Sequence, residues 1–545
     1  GPLACRLMST ALAARLDKPA LAMAAGVLLA LSMPPLGLYP LAWVALVPLL
    51  VRWEKLRHGW TLFREAYVAF LLMAVGAGFW VLFHEAMRAA LFGGLGLLLL
   101  PIPHAAAFAL AGVVRARYGL AVGLAALVCN VLGAEYLVSH LPGGLPWLLL
   151  GHTQAAALPL LQIADLGGVG LLSLFVLVAN FFGFFVVRTA PRPGLLPGGR
   201  TLLALLFLAF LSGTAVYGDE RLAQLAVPHG ELSVSVVQPA EPTNVWGDVT
   251  DWHRVERLAA LSDAARQGAA VDTPVHPVSD RLRAPRLLVW PEAALPPFAE
   301  PGAQDRLYRR LARWSDERDA SLLTGALVQP APGAPLSNAA VYLRRGQAAQ
   351  AYDKVHLTPL VERLPFLETS PSLDAMTLPP GQEARLRAGA APVVFEGAGY
   401  RVAPVIGFES LRGDYVRRSV AGGADVVVAL SDGGWWGRAY GASQHLTLTR
   451  LRAVENRRAV VMATVSGTSA LVYPDGRVEA LAGWMEEGVA ERVVPLQPDA
   501  TLYTRHGDWP GRFAAFGMGW FLLVALASVL VFRKPAPPKT KREHA

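Results

Sequence analysis

Apolar residues crowd the first 217 positions of the chain in long runs, each divided from the next by a short polar or basic stretch. Seven runs, near 19–35, 41–52, 65–84, 90–114, 119–138, 166–188 and 200–217, read as membrane helices, and an eighth lies at 511–532. A membrane helix needs about 20 largely apolar residues. The run at 41–52 is short for that, and spans only if it tilts or extends into its flanks. The first run leads straight into further spans, so a removable signal peptide is not expected. Gly1-Pro2 matches a protease scar, which would put the original start at Met8.

Between 230 and 498 the pattern changes. Short β-rich runs appear at Leu232–Gln238, Leu287–Trp290, Ser321–Thr324, Ala339–Leu343, Arg401–Ile406, Val426–Leu430 and Val460–Val465. Amphipathic stretches such as Trp252–Gln267, Asp305–Asp319 and Ser443–Asn456 alternate with them. That alternation predicts an α/β domain. Asp475-Gly476, between Ala470–Tyr473 and Val478–Ala480, predicts a hairpin turn. The Pro/Ala/Gly-rich stretches 269–286 and 329–337 read as surface loops. The apolar segment 139–165 is broken by Pro142, Gly143, Gly144 and Pro146. It is either a re-entrant or interfacial piece, or a loop lying on the bilayer. Irregular backbone at membrane depth must be covered by protein or line a cavity.

Charge then orients the chain. Arg6, Arg15 and Lys18 precede the first run, Arg52, Lys55, Arg57 and Arg64 follow the second, and Arg115 and Arg117 follow the fourth. Arg188, Arg192 and Arg200 follow the sixth, and Arg533, Lys534, Lys539, Lys541 and Arg542 follow the last. The opposite loops carry only Arg88. The positive-inside rule puts both termini in the cytoplasm and the α/β region outside. The expected domains are 1–217, 218–510, 511–532 and a basic tail at 533–545. The composition, 54% hydrophobic, suits a polytopic membrane protein with a water-exposed domain. The excess of basic residues, +8 net, follows from topology rather than from a nucleic-acid partner. Two cysteines, Cys5 and Cys129, exclude a disulfide framework.

Three segments carry candidate chemistry: Trp290-Pro291-Glu292, then Tyr352-Asp353-Lys354-Val355-His356-Leu357, then Gly407-Phe408-Glu409-Ser410. A carboxylate can move protons to and from a nucleophile, and a fixed cation can stabilise an oxyanion. His356 reads as a packing residue behind the lysine. The twelve histidines show no metal-ligand spacing, and no Gly-rich phosphate loop follows a strand, so no metal or soluble cofactor is expected.

With Val237-Gln238-Pro239, Leu323-Thr324-Gly325, Gln444-His445 and Arg452-Ala453-Val454-Glu455, these motifs resemble the bacterial apolipoprotein N-acyltransferases, of the nitrilase (carbon–nitrogen hydrolase) superfamily. The likeness extends over essentially the whole chain. It implies eight transmembrane helices plus an extracytoplasmic nitrilase-like αββα sandwich, in a bacterial inner membrane. It implies a phospholipid acyl donor, a diacylated apolipoprotein acceptor, and a cysteine thioester between them. Glu292 would be the general base, Lys354 the oxyanion cation, and Glu362 and Glu409 would orient the lysine beside Phe408. Trp435 and Trp436 suggest one mobile arm at the membrane-facing mouth, and Leu360 to Phe366 another.

The chain departs from that pattern at one position. Gly407 stands where the family has its cysteine. Without a thiol the thioester route has no nucleophile. Either the chain is an inactivated or non-catalytic relative, or another group acts, Ser410 being the nearest hydroxyl.

Overall fold

The structure, a computed structural model, describes residues 19–83, 87–189, 197–224, 227–241, 252–266, 285–297, 302–329, 331, 334–359, 362, 386–434 and 439–531. Its first part is helical: α1 (Ala20–Ser32), α2 (Val47–Lys55), α3 (Gly59–Gly78), α4 (Met87–Leu99), α5 (Ile102–Tyr118), α6 (Leu120–His140), α7 (Ala164–Arg188) and α8 (Pro197–Ala223). The last described helix, α13 (Trp509–Val531), packs against α6. Among the described residues six helical stretches are long and apolar enough to cross a membrane, namely Gly59–Phe83, Gly93–Tyr118, Leu120–His140, Ala164–Arg188, Thr201–Ala223 and Trp509–Ala527.

The first two expected spans are shorter than that. Pro34 and Pro35 follow α1 closely, and a proline cannot supply a helical N–H. The second run is divided between Ala42–Ala45 and α2. The third begins at Gly59, earlier than its apolar core suggests. Glu65, near its start, is paired with Arg52 at 2.8 Å, which lets the helix carry a charge there.

The middle of segment 139–165 is covered by protein. Leu148 to Ala155 are all buried. The carboxylate of Glu135 accepts the Leu150 N–H at 2.7 Å, and Ser173 Oγ accepts the Gly151 N–H at 2.8 Å. Side chains of neighbouring helices thus satisfy backbone groups that the irregular chain leaves over.

The second part is a pair of facing sheets. One has the order β12–β1–β2–β3–β4–β5, built from β1 (Gly230–Gln238), β2 (Arg286–Val289), β3 (Ala320–Val328), β4 (Ser337–Leu343), β5 (Gln350–Asp353) and β12 (Gly488–Leu496). The other has the order β11–β10–β9–β8–β7–β6, built from β6 (Phe395–Glu396), β7 (Arg401–Ile406), β8 (Val426–Ser431), β9 (Ala459–Thr464), β10 (Ser469–Val472) and β11 (Val478–Ala482). Their inner faces share one apolar core that includes Leu232, Val234 and Val494 from the first sheet and Val402, Val426 and Val461 from the second. Helices α9 (Trp252–Arg266) and α10 (Ala303–Asp316) cover the outside of the first sheet through Leu258, Leu307 and Leu311. Helices α11 (Gly413–Ala421) and α12 (Ala439–Asn456) cover the second. The expected hairpin is present, with β10 and β11 antiparallel and Gly476 at φ +88° in its turn.

Helix α12 belongs to two cores at once. Leu446 and Ala453 pack on the second sheet. Leu448, Leu451 and Val454 join the core of the membrane helices, as do Phe408 and Leu411. Gln444 fastens the contact. Its Oε1 accepts the indole N–H of Trp147 at 2.7 Å and of Trp80 at 3.1 Å, and its Nε2 donates to the Pro34 carbonyl at 2.9 Å.

Candidate active site

Three strand ends converge where the two sheets meet. Glu292 lies just past β2, Lys354 just past β5, and Gly407 just past β7. Parallel strands β7 and β8 and parallel strands β1, β2 and β3 bring their C-terminal ends to the same edge. Loops at such ends are the usual place for polar groups that a regular strand could not accommodate.

Glu292 is buried and fully engaged. Its Oε1 accepts from Asn338 Nδ2 at 2.6 Å and lies 3.4 Å from Lys354 Nζ. Its Oε2 accepts the main-chain N–H of Asp432 at 3.0 Å. Burial pushes the Glu292 carboxyl above the usual range, against the pull of Lys354. Close packing fixes the backbone here. A methyl group on Gly325 would lie 2.4 Å from the Pro291 carbonyl oxygen and 2.6 Å from Glu292 Cα.

Lys354 is only 1% exposed. Its ammonium lies 2.9 Å from the Glu362 carboxylate. Burial alone would lower its pKa, but Glu362 and Glu292 together outweigh burial and raise it, so the lysine stays charged. Glu362 in turn accepts the Thr358 N–H at 2.6 Å, which holds the loop after β5.

Gly407 has φ +51°, a left-handed backbone that disfavours side chains. A Cβ built there would lie 3.3 Å from Glu292 Oε2, 3.3 Å from Lys354 Nζ and 3.6 Å from Glu292 Oε1. A side chain at 407 would therefore start between the carboxylate and the ammonium.

Glu409 meets the site through the main chain. Its carboxylate accepts from Val355 N–H at 2.8 Å, His356 N–H at 2.9 Å, Ile406 N–H at 2.9 Å and Tyr352 Oη at 2.6 Å. It splints the segments carrying Lys354 and Gly407 through their backbone, and its carboxyl is raised above the usual range by burial. Phe408 is buried against the membrane-helix core. His356 sets its ring edge on Tyr415, with centroids 4.8 Å apart, and is pushed down to about 4 by burial and then by Arg412. The Ser410 hydroxyl donates to the Gly407 carbonyl at 2.9 Å. Its Oγ lies 2.8 Å from His445 Nε2 and accepts from Thr449 at 3.0 Å, both on α12. Trp435, Trp436, Leu360 and Phe366 lie outside the described residues.

Two groups escaped the sequence reading. Asn338 bridges the two carboxylates, donating to Glu362 at 3.4 Å as well as to Glu292. Asp432 supplies the N–H that holds Glu292. The only trace of Asn338 in the sequence is a buried polar pair, Ser337-Asn338, opening an otherwise apolar strand.

A buried glutamate and lysine converging on a strand-end seat, carried by two facing sheets on a bundle of membrane helices, define a carbon–nitrogen-hydrolase-type domain joined to a polytopic membrane domain. The family profile described as Carbon-nitrogen hydrolase matches residues 233–498, and that described as Apolipoprotein N-acyltransferase N-terminal domain matches 25–182. The apolipoprotein N-acyltransferase of Azotobacter vinelandii is 30% identical over 516 residues, covering 92% of this chain and 94% of its own. That of Geobacter metallireducens is 28% identical over 526 residues, covering 94% and 95%. An amidase from Nesterenkonia sp. superposes over 54% of this chain and 98% of its own, at 19% identity and a TM-score of 0.35. The chain belongs to the apolipoprotein N-acyltransferase family and is a multi-pass membrane protein.

Proposed function

We propose that this site transfers an acyl chain from a phospholipid to the N-terminal amine of a diacylglyceryl-cysteine lipoprotein, and that Gly407 leaves the chain impaired in that reaction. The reading rests on one observation above all: a Cβ at 407 would stand 3.3 Å from both Glu292 Oε2 and Lys354 Nζ. With a cysteine in that seat, Glu292 takes the thiol proton and the thiolate attacks the ester carbonyl. The negative charge on the carbonyl oxygen develops beside the Lys354 ammonium. Collapse expels the lysophospholipid alkoxide, which takes the proton from Glu292. The lipoprotein amine then attacks the thioester, Glu292 accepts the amine proton, and the thiolate leaves and recovers it. Asn338 and the Asp432 N–H hold Glu292 for both proton transfers. Glu362 keeps the lysine charged and placed. With glycine at 407 the first bond to the acyl group cannot form.

The proposed setting is a bacterial inner membrane crossed eight times, with residues 1–217 and 511–532 in the bilayer region and 218–510 on the periplasmic side. The basic tail 533–545 and the N-terminus then lie in the cytoplasm, in keeping with the alternation of basic loops. Trp435, Trp436, Leu360 and Phe366 would border the lipid-facing mouth, where tryptophan suits the bilayer interface.

The experiment is an assay with labelled phospholipid and a diacylated lipopeptide, run on this chain and on Gly407→Cys and Gly407→Ala. The two variants share the backbone strain of a side chain at positive φ and differ only in the thiol. The acyl-enzyme and the N-acylated product are expected in the Cys form alone. Equal yields from all three chains would place the nucleophile elsewhere, and no yield from any would reject acyl transfer.

A further inference from the structure

The start of α13 carries a basic cluster that the scheme above does not use. Arg505 and His506 end the short helix Leu502–His506, and Arg512 lies in the first turn of α13; all three are exposed. Arg512 Nη2 donates to the His506 carbonyl, which folds its guanidinium back over the junction. Arg417 of α11 reaches the same junction, donating through Nη1 to the Thr504 carbonyl at 3.1 Å. Gly507 shows how close the groups come. It turns the chain into α13 at φ +70°, and a Cβ on it would lie 3.2 Å from Arg417 Nε, 3.4 Å from Arg512 Nη2 and 3.5 Å from Asp414 Oδ1.

Negative charge does not keep pace here. Asp414 is shared between Arg417 at 2.8 Å and the exposed Arg418 at 2.7 Å. Asp508 caps α13 by accepting the Gly511 N–H at 2.8 Å, and a methyl group on Gly170 of α7 would lie 2.3 Å from the same oxygen, so this acid is turned toward the bundle. Among the described residues neither Arg505 nor Arg512 has a carboxylate partner. The place is also against the charge pattern of the chain. Basic residues gather at the other ends of the spans, and the loops on the side of the α/β domain carry only Arg88. Directly beyond the cluster, α13 exposes Trp509, Phe513, Phe516 and Trp520, a stripe at helical spacing. Surplus cations at the head of an exposed aromatic stripe on a membrane-crossing helix match the two ends of one lipid molecule.

We propose that this cluster docks a phospholipid whose headgroup is net negative, of the phosphatidylglycerol kind, from the leaflet next to the α/β domain. The phosphate sits against Arg505 and Arg512 with Arg418 at the rim, and the acyl chains lie along Phe513, Phe516 and Trp520. A guanidinium can grip a phosphate through two parallel N–H bonds. A zwitterionic headgroup brings its own ammonium, which the surplus cations repel, so the surface selects for net charge. None of these residues belongs to the seat made by Glu292, Lys354 and Gly407, so the site is additional to that of the acyl donor.

The test reads no acyl transfer, so its failure is separate from any failure of the proposed function. The chain as it stands is placed in phosphatidylcholine nanodiscs containing a small, equal fraction of photoreactive phosphatidylglycerol or photoreactive phosphatidylcholine. The reactive group lies near the glycerol end of one acyl chain, and the label is mapped by peptide mass spectrometry. Label on residues 506–520 should favour phosphatidylglycerol. Residues 209–216 of α8 serve as the reference, since the nearby Arg221 is already paired with Asp165 at 2.8 Å, and they should show no such preference. Arg505→Gln, which removes no hydrogen bond of the fold, should lower the preference on 506–520 by about fivefold, the weight of one basic residue near a charged bilayer surface, and adding Arg512→Gln should lower it further. Equal labelling by the two lipids in the parent chain, or a preference that survives both substitutions, overturns the inference. A preference of the same size on 209–216 also overturns it, because the chain would then be gathering anionic lipid without a site.

Discussion

Replacing Lys354 by methionine is the sharpest physical test of the site, because it requires no turnover. Methionine has a similar length and keeps the packing of the aliphatic stem, but it removes the positive charge that contacts two buried carboxylates. Glu362 lies 2.9 Å from the ammonium and Glu292 3.4 Å, and Asn338 ties the two together. Breaking a buried ion pair from one side costs about 3–5 kcal/mol. For a domain of this size each kcal/mol lowers the melting temperature by about 2–4 °C. The expected loss in detergent at pH 8 is therefore roughly 6–20 °C. The loss should depend on pH, and its sign follows from the two groups. The raised pKa of Lys354 stabilises the native chain fully below the unfolded lysine value of about 10.4, so its contribution is flat between pH 5 and 9. In the variant, Glu292 loses the charge that pulls its pKa down and rises further. A carboxyl raised in the folded state destabilises above its unfolded value of about 4.3, and the penalty shrinks as pH falls through the folded pKa. Lys354→Met should thus be closer to the parent chain at pH 5 than at pH 8, and adding Glu292→Gln should restore part of the loss. A deficit below about 1 kcal/mol, the scale of an exposed pair, or one that is equal at both pH values, would show that the charges do not interact as described.

Two further substitutions probe how the site is held. Gly325→Ala drives a methyl group into the backbone of Pro291, Glu292 and Ala293, at 2.4–2.6 Å. In the Gly407→Cys background it should slow acyl-enzyme formation by about 10²-fold, the effect of misplacing a reacting group by about 1 Å, while the protein stays folded. An unchanged rate would show that the Glu292 position is not set from behind. Gln444→Leu removes the acceptor shared by Trp80 and Trp147 and should lower stability by about 1–3 kcal/mol, read as thermal unfolding together with a shift in tryptophan emission. No loss would mean that Gln444 does not help join α12 to the bundle.

Much of the fold was legible because burial repeats along the chain. The apolar runs of α3, α5, α6, α7, α8 and α13 and the continuous Val-rich runs of β7, β8 and β9 carry their own period or length. Strands whose sequence mixes charge with apolar residues did not announce themselves. β12, with Glu491 and Arg492 in its middle, pairs with β1 over its full length, yet its sequence lacks strict alternation. β5 has four residues and gives no period, although Lys354 follows it directly. Glu292, Lys354 and Gly407 stood out only as motifs in a fixed order, since no local rule brings together residues so far apart in the chain. Asn338 had neither a motif nor a period, and Asp432 lay in the Ser431–Gly437 segment with no role of its own assigned. Their importance lies in which carboxylate oxygen they contact, and only three-dimensional geometry supplies that.

The helix α12 has no free side of its own, since one face is owed to the second sheet and the other to the membrane helices. Sliding either layer would strip apolar surface from both. The two layers are thus coupled: any change in how the membrane helices pack around α12 is passed to the second sheet, and with it to the strand end that carries Gly407.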